Sequence, residues 1–304
     1  MKRRNFLAAG VGTGLALFPA RWVPAAGPKK QKVLYFTRCQ GFIHSAVKRE
    51  GDALSFSEKL LMELGPQAGF EVECSKDGQI FDGDLSQYDC FAFYTSGDLT
   101  KPSKEGTPAM SPEGKQRLLE AVAGGKGFVG FHSANDSFHS PGPRDENQQP
   151  PDPYIAMLGG EFVTHGPQQE SVVRVTSPGF PGLKGVPAEW RLKEEWYALK
   201  NFAPDLHVIL VQETAGMKGD CYQRPPFPAT WARQHQQGRV FYTSFGHRHE
   251  IWQEPQVQQV ILGGFAWALR NVDAEATPNL AQVTPEAHVL PKQPPKPAAK
   301  PKAQ

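Results

Sequence analysis

The sequence predicts an α/β domain, a mainly parallel sheet with helices on both faces. Three observations predict it. Short β-rich apolar runs recur at KVLYFT (32–37), EVECS (71–75), DCFAFYTS (89–96) and GFVGF (127–131). Between some of them lie longer segments with apolar residues near helical spacing. Their order (strand, helix, strand, strand, helix, strand) is that of crossover units, which lay successive strands parallel and helices on the sheet faces.

Each element has its own warrant. KVLYFT ends where a charged, polar stretch begins, and reads as a first, central strand. Residues 46–64 carry Leu54, Leu60, Leu61 and Leu64 near helical spacing and stop at Gly65-Pro66, the usual punctuation of a helix end. EVECS and DCFAFYTS follow as strands. Ser111-Pro112-Glu113 is a cap and a first-turn proline, opening a helix through Leu118, Leu119 and Val122 to Gly124-Gly125. GFVGF is the next strand. The second half is less regular: SVVRVT (171–176), HVILVQET (207–214) and GRVFYTSF (238–245) read as strands, and 255–270, with Val260, Ile261, Phe265 and Trp267, as a closing helix. No internal repeat is visible.

Residues 30–272 are long enough for one domain with a sizeable core. Residues 1–26 read as a twin-arginine export signal: Arg3-Arg4, Asn5-Phe6-Leu7, an apolar run too short to span a bilayer, and small residues at Val23-Pro24-Ala25 for cleavage. The expected location is therefore periplasmic or secreted, with no integral membrane segment after signal cleavage. Residues 273–304, ending in PKQPPKPAAKPKAQ, are expected to form a disordered Pro/Lys-rich tail. Lys2, Arg3, Arg4 and Arg21, with Lys292, Lys296, Lys300 and Lys302, are eight cations with no acids around them. Setting them aside turns the chain's net charge of +2 into −6. An acidic body argues against nucleic acid as partner. Cys39, Cys74, Cys90 and Cys221 form no CxxC pair or zinc-ribbon spacing, and Cys74 and Cys90 read as buried thiols within strands.

Parallel sheets gather ligand groups at the carboxyl ends of their strands. His44, in GFIHS, falls just after the first strand. His132, Ser133, Asn135 and Asp136 follow GFVGF. His165 closes GGEFVTH; Glu194 and Glu195 precede Trp196-Tyr197; His247 and His249 stand where 238–245 ends. Five of the nine histidines are thus predicted to converge on one face. Singly, each is explained by a local hydrogen bond, and either glutamate by solvation. Jointly, several strand ends each pairing histidine with glycine point to metal ligation or proton transfer near neutral pH. Whether Glu194 or Glu195 points inward stays open at this level.

These motifs, GFIHS, VGFHSAND, GGEFVTH, EEWYAL (194–199) and PATWARQHQQGRVFYTSFGHRHEIW (228–252) with the GGFAWAL helix (263–269), resemble the ThuA-like (trehalose-utilisation) family over 32–270. The resemblance implies a flavodoxin-like fold of the class I glutamine-amidotransferase-like superfamily. In that superfamily the strand corresponding to 127–131 ends in a glycine-x-cysteine-x-glycine elbow. Here His132 takes the cysteine's place and Ala134 the second glycine's, so the cysteine amidotransferase mechanism does not carry over.

The resemblance further implies a sugar or glycoside as substrate, and its association with keto-sugars implies hydrolysis, elimination or isomerisation. A carbonyl acidifies the neighbouring C–H, so one base and one electrophile suffice. On this reading His132, Glu195 and His247 are catalytic. His44, Ser133, Asn135, Asp136, Trp196, Tyr197 and Trp231 contact substrate, and His44, His132 and His165 are ligands of a divalent metal, zinc or similar. No nucleotide cofactor is expected. Two alternatives stand beside it: a non-catalytic carbohydrate-binding protein on the same fold, and a serine hydrolase with Ser133 as nucleophile. The insert SPGPRDENQQPPDP (140–153) is either a lid or an inert surface loop.

Overall fold

The computed structural model describes residues 30–291. The export signal expected over 1–26 lies outside them. Strand β1 (Gln31–Phe36) is central, and its side chains alternate: Val33 and Tyr35 enter one core, Leu34 and Phe36 the other. That is the period-two signature of a strand covered on both faces. β2 (Phe70–Ser75) and β3 (Cys90–Phe93) flank β1, both parallel to it, and β4 (Gly127–Phe131) runs parallel to β3.

The helix expected at 46–64 starts later. α1 spans Phe56–Gln67, because Ser55 and Glu58 form a reciprocal capping box that fixes its first turn. Gly65-Pro66 lies inside its last turn rather than ending it. There, Gly65 packs so closely that a Cβ would sit 2.8 Å from Val72. α2 (Pro112–Ala123) begins where its cap, Ser111, predicts.

The second half adds a short helix α3 (Pro153–Leu158), β5 (Glu161–His165), β6 (Gln169–Val175), β7 (Glu189–Glu194), β8 (Tyr197–Lys200), β9 (His207–Gln212), β10 (Phe227–His235) and β11 (Gly238–Thr243). Helices α4 (His249–Gln253), α5 (Pro255–Ala268) and α6 (Leu280–Val283) complete it. β11 returns beside β4 and parallel to it, giving the sheet order β2-β1-β3-β4-β11-β10-β9-β6-β7, in which the last four strands are antiparallel. β5 and β8 form a separate antiparallel pair. Leu61 of α1 and Val260, Ile261 and Phe265 of α5 share the core of Val33, while Leu118 of α2 and Ile155 and Leu158 of α3 share that of Leu34. The helices therefore cover both faces, as a parallel sheet requires. Among the described residues no helix is long and apolar enough to cross a membrane.

The disordered tail expected from 273 is corrected as far as 290. Thr277 accepts from His207 Nδ1 at 2.7 Å, Asn279 Oδ1 accepts from the Val208 N–H at 2.6 Å, Arg224 donates to the Ala287 carbonyl, and Leu280 and Ala287 are buried. The apolar side chains and Asn279 give this segment something to bury and to bond; the rest of the expected tail, 292–304, lies outside the described residues.

One buried ion pair ties the loop after β1 to α1. Arg49 donates to both oxygens of Glu58 at 2.8 Å, and Thr37 Oγ1 donates at 2.6 Å. Burial pushes the Glu58 carboxyl up, but the hydrogen bonds from Arg49, Thr37 and the Ser55 N–H outweigh it, and the acid sits below its ordinary range. A carboxyl depressed in the folded state contributes stability above its unfolded pKa, near 4.3, and loses it as pH falls through the folded value. Glu58→Gln should therefore cost about 2 kcal/mol at pH 7. The gap to wild type should close below about pH 4 in thermal melts taken across the acid range.

Candidate metal centre and active site

The chain runs from β1 outward to β2, then back across β1 to β3, so the sheet has its switch point at β1/β3 and the adjoining strand ends converge there. His44 comes from the loop after β1, His132 from the end of β4, and His247 from the turn after β11. Glu195 comes from the two-residue link between β7 and β8, which carries the chain from the edge of the large sheet to the small one. One ligand atom from each of His44, His132, Glu195 and His247 lies within 4.8 Å of the others. Glu195 Oε2 is 2.9 Å from His247 Nδ1, 3.5 Å from His132 Nε2 and 3.9 Å from His44 Nε2.

His132 occupies the elbow. Its φ is +40°, a conformation that a non-glycine residue adopts only when its surroundings impose it. Tyr242 donates to its carbonyl at 2.7 Å, and its own Nδ1–H donates to the Ser244 carbonyl at 3.0 Å. Gly130 lets the strand approach: a Cβ there would lie 3.0 Å from Tyr242 and 3.1 Å from Leu158. Since a carbonyl only accepts, the ring proton is on Nδ1 and the Nε2 lone pair faces Glu195.

That lone pair is the informative feature. His132 Nε2 is buried and has no hydrogen-bond partner among the described residues. Burial pushes the His132 imidazole down to about 3, and burial likewise lowers His44, so both are neutral near pH 7. Burial by itself would raise Glu195; with His132 Nε2 unprotonated, the group placed to hold the carboxyl ionised is His247, whose Nδ1 is 2.9 Å from Oε2. A carboxylate facing an unprotonated ring nitrogen leaves two electron-rich groups opposed, an arrangement that a cation between them satisfies. His44 is oriented for the same point: Ser133 Oγ lies 3.4 Å from its Nδ1, and Tyr197 Oη 3.1 Å from its Nε2. His247 is held through Gln168, whose amide donates to Nε2 at 2.8 Å while its carbonyl accepts from Arg248 at 2.7 Å. This places the His247 proton on Nδ1, and binding a cation there requires that proton to leave and the Gln168 amide to turn. Three nitrogens and one carboxylate oxygen are the donor set of zinc and its neighbours.

The other predicted residues are distributed as follows. His165, expected as a ligand, stands at the rim: its Nδ1 is 2.9 Å from the Gly166 carbonyl and 3.5 Å from Glu195 Oε1, and it lies outside the four-residue set. Both glutamates point inward. Glu194 is buried behind the site, accepting from the N–H groups of Glu195 at 2.8 Å and Gly246 at 3.0 Å, and burial pushes its carboxyl up to about 7. Trp196 and Trp231, expected to offer faces to a sugar, are fully buried, with their indole N–H groups on the Gln169 and Leu158 carbonyls. Neither has a free face, so that expectation is corrected. Tyr197 is buried against His132, ring centroids 4.0 Å apart. Ser133 is wholly enclosed, so its hydroxyl orients His44 instead of meeting a substrate. Asn135 is also enclosed. His249 stacks on Phe56 at 4.2 Å, away from the set.

Asp136 belongs to an adjoining network that sequence reasoning missed. His139 bridges Asp136 Oδ1 at 2.7 Å and Glu161 Oε1 at 3.1 Å. Glu161 also accepts from Ser140 Oγ at 2.6 Å and Asn201 Nδ2 at 2.7 Å, with the buried Lys200 ammonium 3.9 Å away. Lys200 donates to the Pro143 and Glu146 carbonyls, both at 3.1 Å, and so anchors the 140–153 insert to the body. The acid within GGEFVTH was the available signal.

Comparison with known proteins agrees with this fold. Residues 32–268 match the ThuA family model, described as trehalose utilisation. Among solved structures, a ThuA-like protein from Parabacteroides merdae superposes with a TM-score of 0.56 at 20% identity, covering 82% of this chain and 93% of that one. A ThuA-like protein from Bacteroides uniformis gives 0.53 at 18% identity, covering 85% and 98%. At these identities the likenesses show the fold. No curated protein matches the chain.

Proposed function

Because the chain belongs to the ThuA trehalose-utilisation family, we propose that it is a metal-assisted enzyme acting on a keto-sugar derived from a trehalose-like disaccharide. The observation that carries the proposal is the buried, unpartnered His132 Nε2 facing the Glu195 carboxylate inside a cluster of three imidazoles. His44, His132, Glu195 and His247 would hold a divalent ion. Bound there, the ion would act as a Lewis acid toward a carbonyl oxygen.

The chain's own groups supply the rest. Glu195, with His247 Nδ1 2.9 Å from its Oε2, either holds the ion or takes the proton from the carbon beside the carbonyl. In an elimination, the electron pair so released forms the new C=C bond as the glycosidic C–O bond breaks, and the departing oxygen takes up a proton. The imidazolium form of His165, at the rim with Nδ1–H on the Gly166 carbonyl, would deliver that proton from Nε2 and be left as the neutral ring. Hydrolysis and isomerisation begin from the same polarised carbonyl.

The test offers the metal-loaded protein trehalose and its 3-keto form side by side, followed by NMR. Consumption of the keto-sugar alone is the expected result. Binding of both with turnover of neither would favour the non-catalytic carbohydrate-binding reading.

A further inference from the structure

With Trp196 and Trp231 enclosed, the aromatic surface available to a ligand lies elsewhere. Among the described residues the exposed large hydrophobic side chains are Phe42, Met62 and Val289, and Phe42 is the aromatic one, 66% exposed. An isolated exposed apolar residue is ordinary on a protein surface and by itself means nothing. Phe42 differs in its placement and in how it is held.

Its ring meets His44 edge-on, centroids 4.9 Å apart, and His44 is 2% exposed and part of the four-residue set. The segment carrying it is fastened to the end of β3: Cys39 bridges Ser96, the N–H groups of Gln40 and Gly41 donate to the Ser96 carbonyl at 2.8 and 3.1 Å, and Ser96 Oγ donates to the Phe42 carbonyl at 2.7 Å. Gly41 fits closely there, a Cβ at that position falling 3.3 Å from Ser96 Oγ. The backbone is thus fixed at a switch-point strand end while the side chain projects into solvent beside the cluster. A preorganised aromatic face loses little conformational freedom on binding. The second exposed group at the rim is His165, whose imidazole reaches the cluster through Glu195. A flat apolar face against His44 and a hydrogen-bonding imidazole against Glu195, on the rim of one cluster, match a pyranose ring, which has an apolar C–H face and a hydroxyl-bearing edge.

From this juxtaposition we infer that Phe42 is a substrate-binding platform, stacking on the apolar face of the sugar ring whose reacting carbon reaches the His44, His132, Glu195 and His247 cluster. The inference rests on the carbohydrate reading above and adds a specificity-determining residue to it. Phe42 touches the ligand; it does not hold the metal.

The experiment titrates trehalose into wild type, Phe42→Ala and Phe42→Trp by calorimetry, with metal content measured on the same samples. Phe42→Ala should bind about tenfold more weakly, from the lost apolar contact and ring stacking. Phe42→Trp should bind as tightly as wild type or tighter, and all three should carry the same metal. Unchanged affinity in Phe42→Ala overturns the platform. So does loss of metal in Phe42→Ala, which would show that the ring acts by packing His44. Failure of wild type to bind both trehalose and, titrated in the same way, its 3-keto form sinks the carbohydrate reading itself, and the platform with it.

Discussion

Replacing His132 with alanine should strip the protein of its metal. Purified without chelator or histidine tag and reconstituted with zinc, wild type should carry close to one ion per chain, and His132→Ala less than about a tenth of that. The magnitude follows from the geometry. Loss of an outer partner of a metal ligand costs about 10–100-fold in affinity. His132 is instead proposed as a direct donor, with its free nitrogen 3.5 Å from the Glu195 carboxylate. His247→Ala separates ligand loss from misfolding, because His247 is partly exposed on a turn and its removal leaves the core intact. Ser133→Ala, which removes only the group oriented toward His44 Nδ1, should weaken binding by about tenfold and no more. Elemental analysis with a competing chelator measures all three. Equal metal in wild type and His132→Ala, or none in either after reconstitution, would end the metal reading and leave the histidines as an acid/base set.

Glu161→Ala should be the most destabilising of the single changes considered, by about 3 kcal/mol, lowering Tm by roughly 10 °C. Burial pushes the Glu161 carboxyl up, yet His139, Ser140, Lys200 and Asn201 together hold it below its usual range, so it is an anion in a cationic setting. Removing it leaves the Lys200 ammonium buried without its counter-charge and takes an acceptor from Ser140, His139 and Asn201. The remaining carbonyl acceptors of Lys200 keep the loss from being larger. Glu161→Gln keeps an acceptor oxygen and should lose less than half as much. The 140–153 insert hangs on this network through Ser140, Lys200 and Asn201. Limited proteolysis should therefore cut it faster in Glu161→Ala than in wild type. An unchanged melting temperature would mean that Lys200 and its carbonyl partners hold the insert alone.

Much of this was legible in the chain. The runs at 32–37, 71–75, 89–96 and 127–131 became β1, β2, β3 and β4 because strands buried on both faces are contiguous apolar runs bounded by polar punctuation. Ser111-Pro112 marked the start of α2 because cap and first-turn proline act within one helical turn. β7, EWRLKE, was missed although Trp190, Leu192 and Glu194 alternate inward, because a buried glutamate reads as a surface charge. β10 opens with Phe227-Pro228, and a proline argues against a strand in the middle of a sheet. The start of α1 was misjudged by its leucines, which outline a longer pattern than the Ser55–Glu58 capping box allows.

The sequence by itself determined which residues could do chemistry: histidines beside glycines at strand ends, an imidazole at an elbow that elsewhere presents a thiol, two adjacent glutamates before Trp196. These are local facts, set by residue type, periodicity and capping within a few positions of each other. Only the tertiary structure decided which of them meet. Strand order brought the ends of β1, β4 and β11 to one switch point, and the β7–β8 link turned Glu195 into the cluster while Glu194 was spent on the Gly246 and Glu195 amides. The same packing buried Trp196 and Trp231 and left Phe42 in solvent, a distinction that composition cannot carry because all three are equally apolar as letters. Side-chain direction across long separations depends on which strands pair and in what register, and that is a property of the assembled sheet.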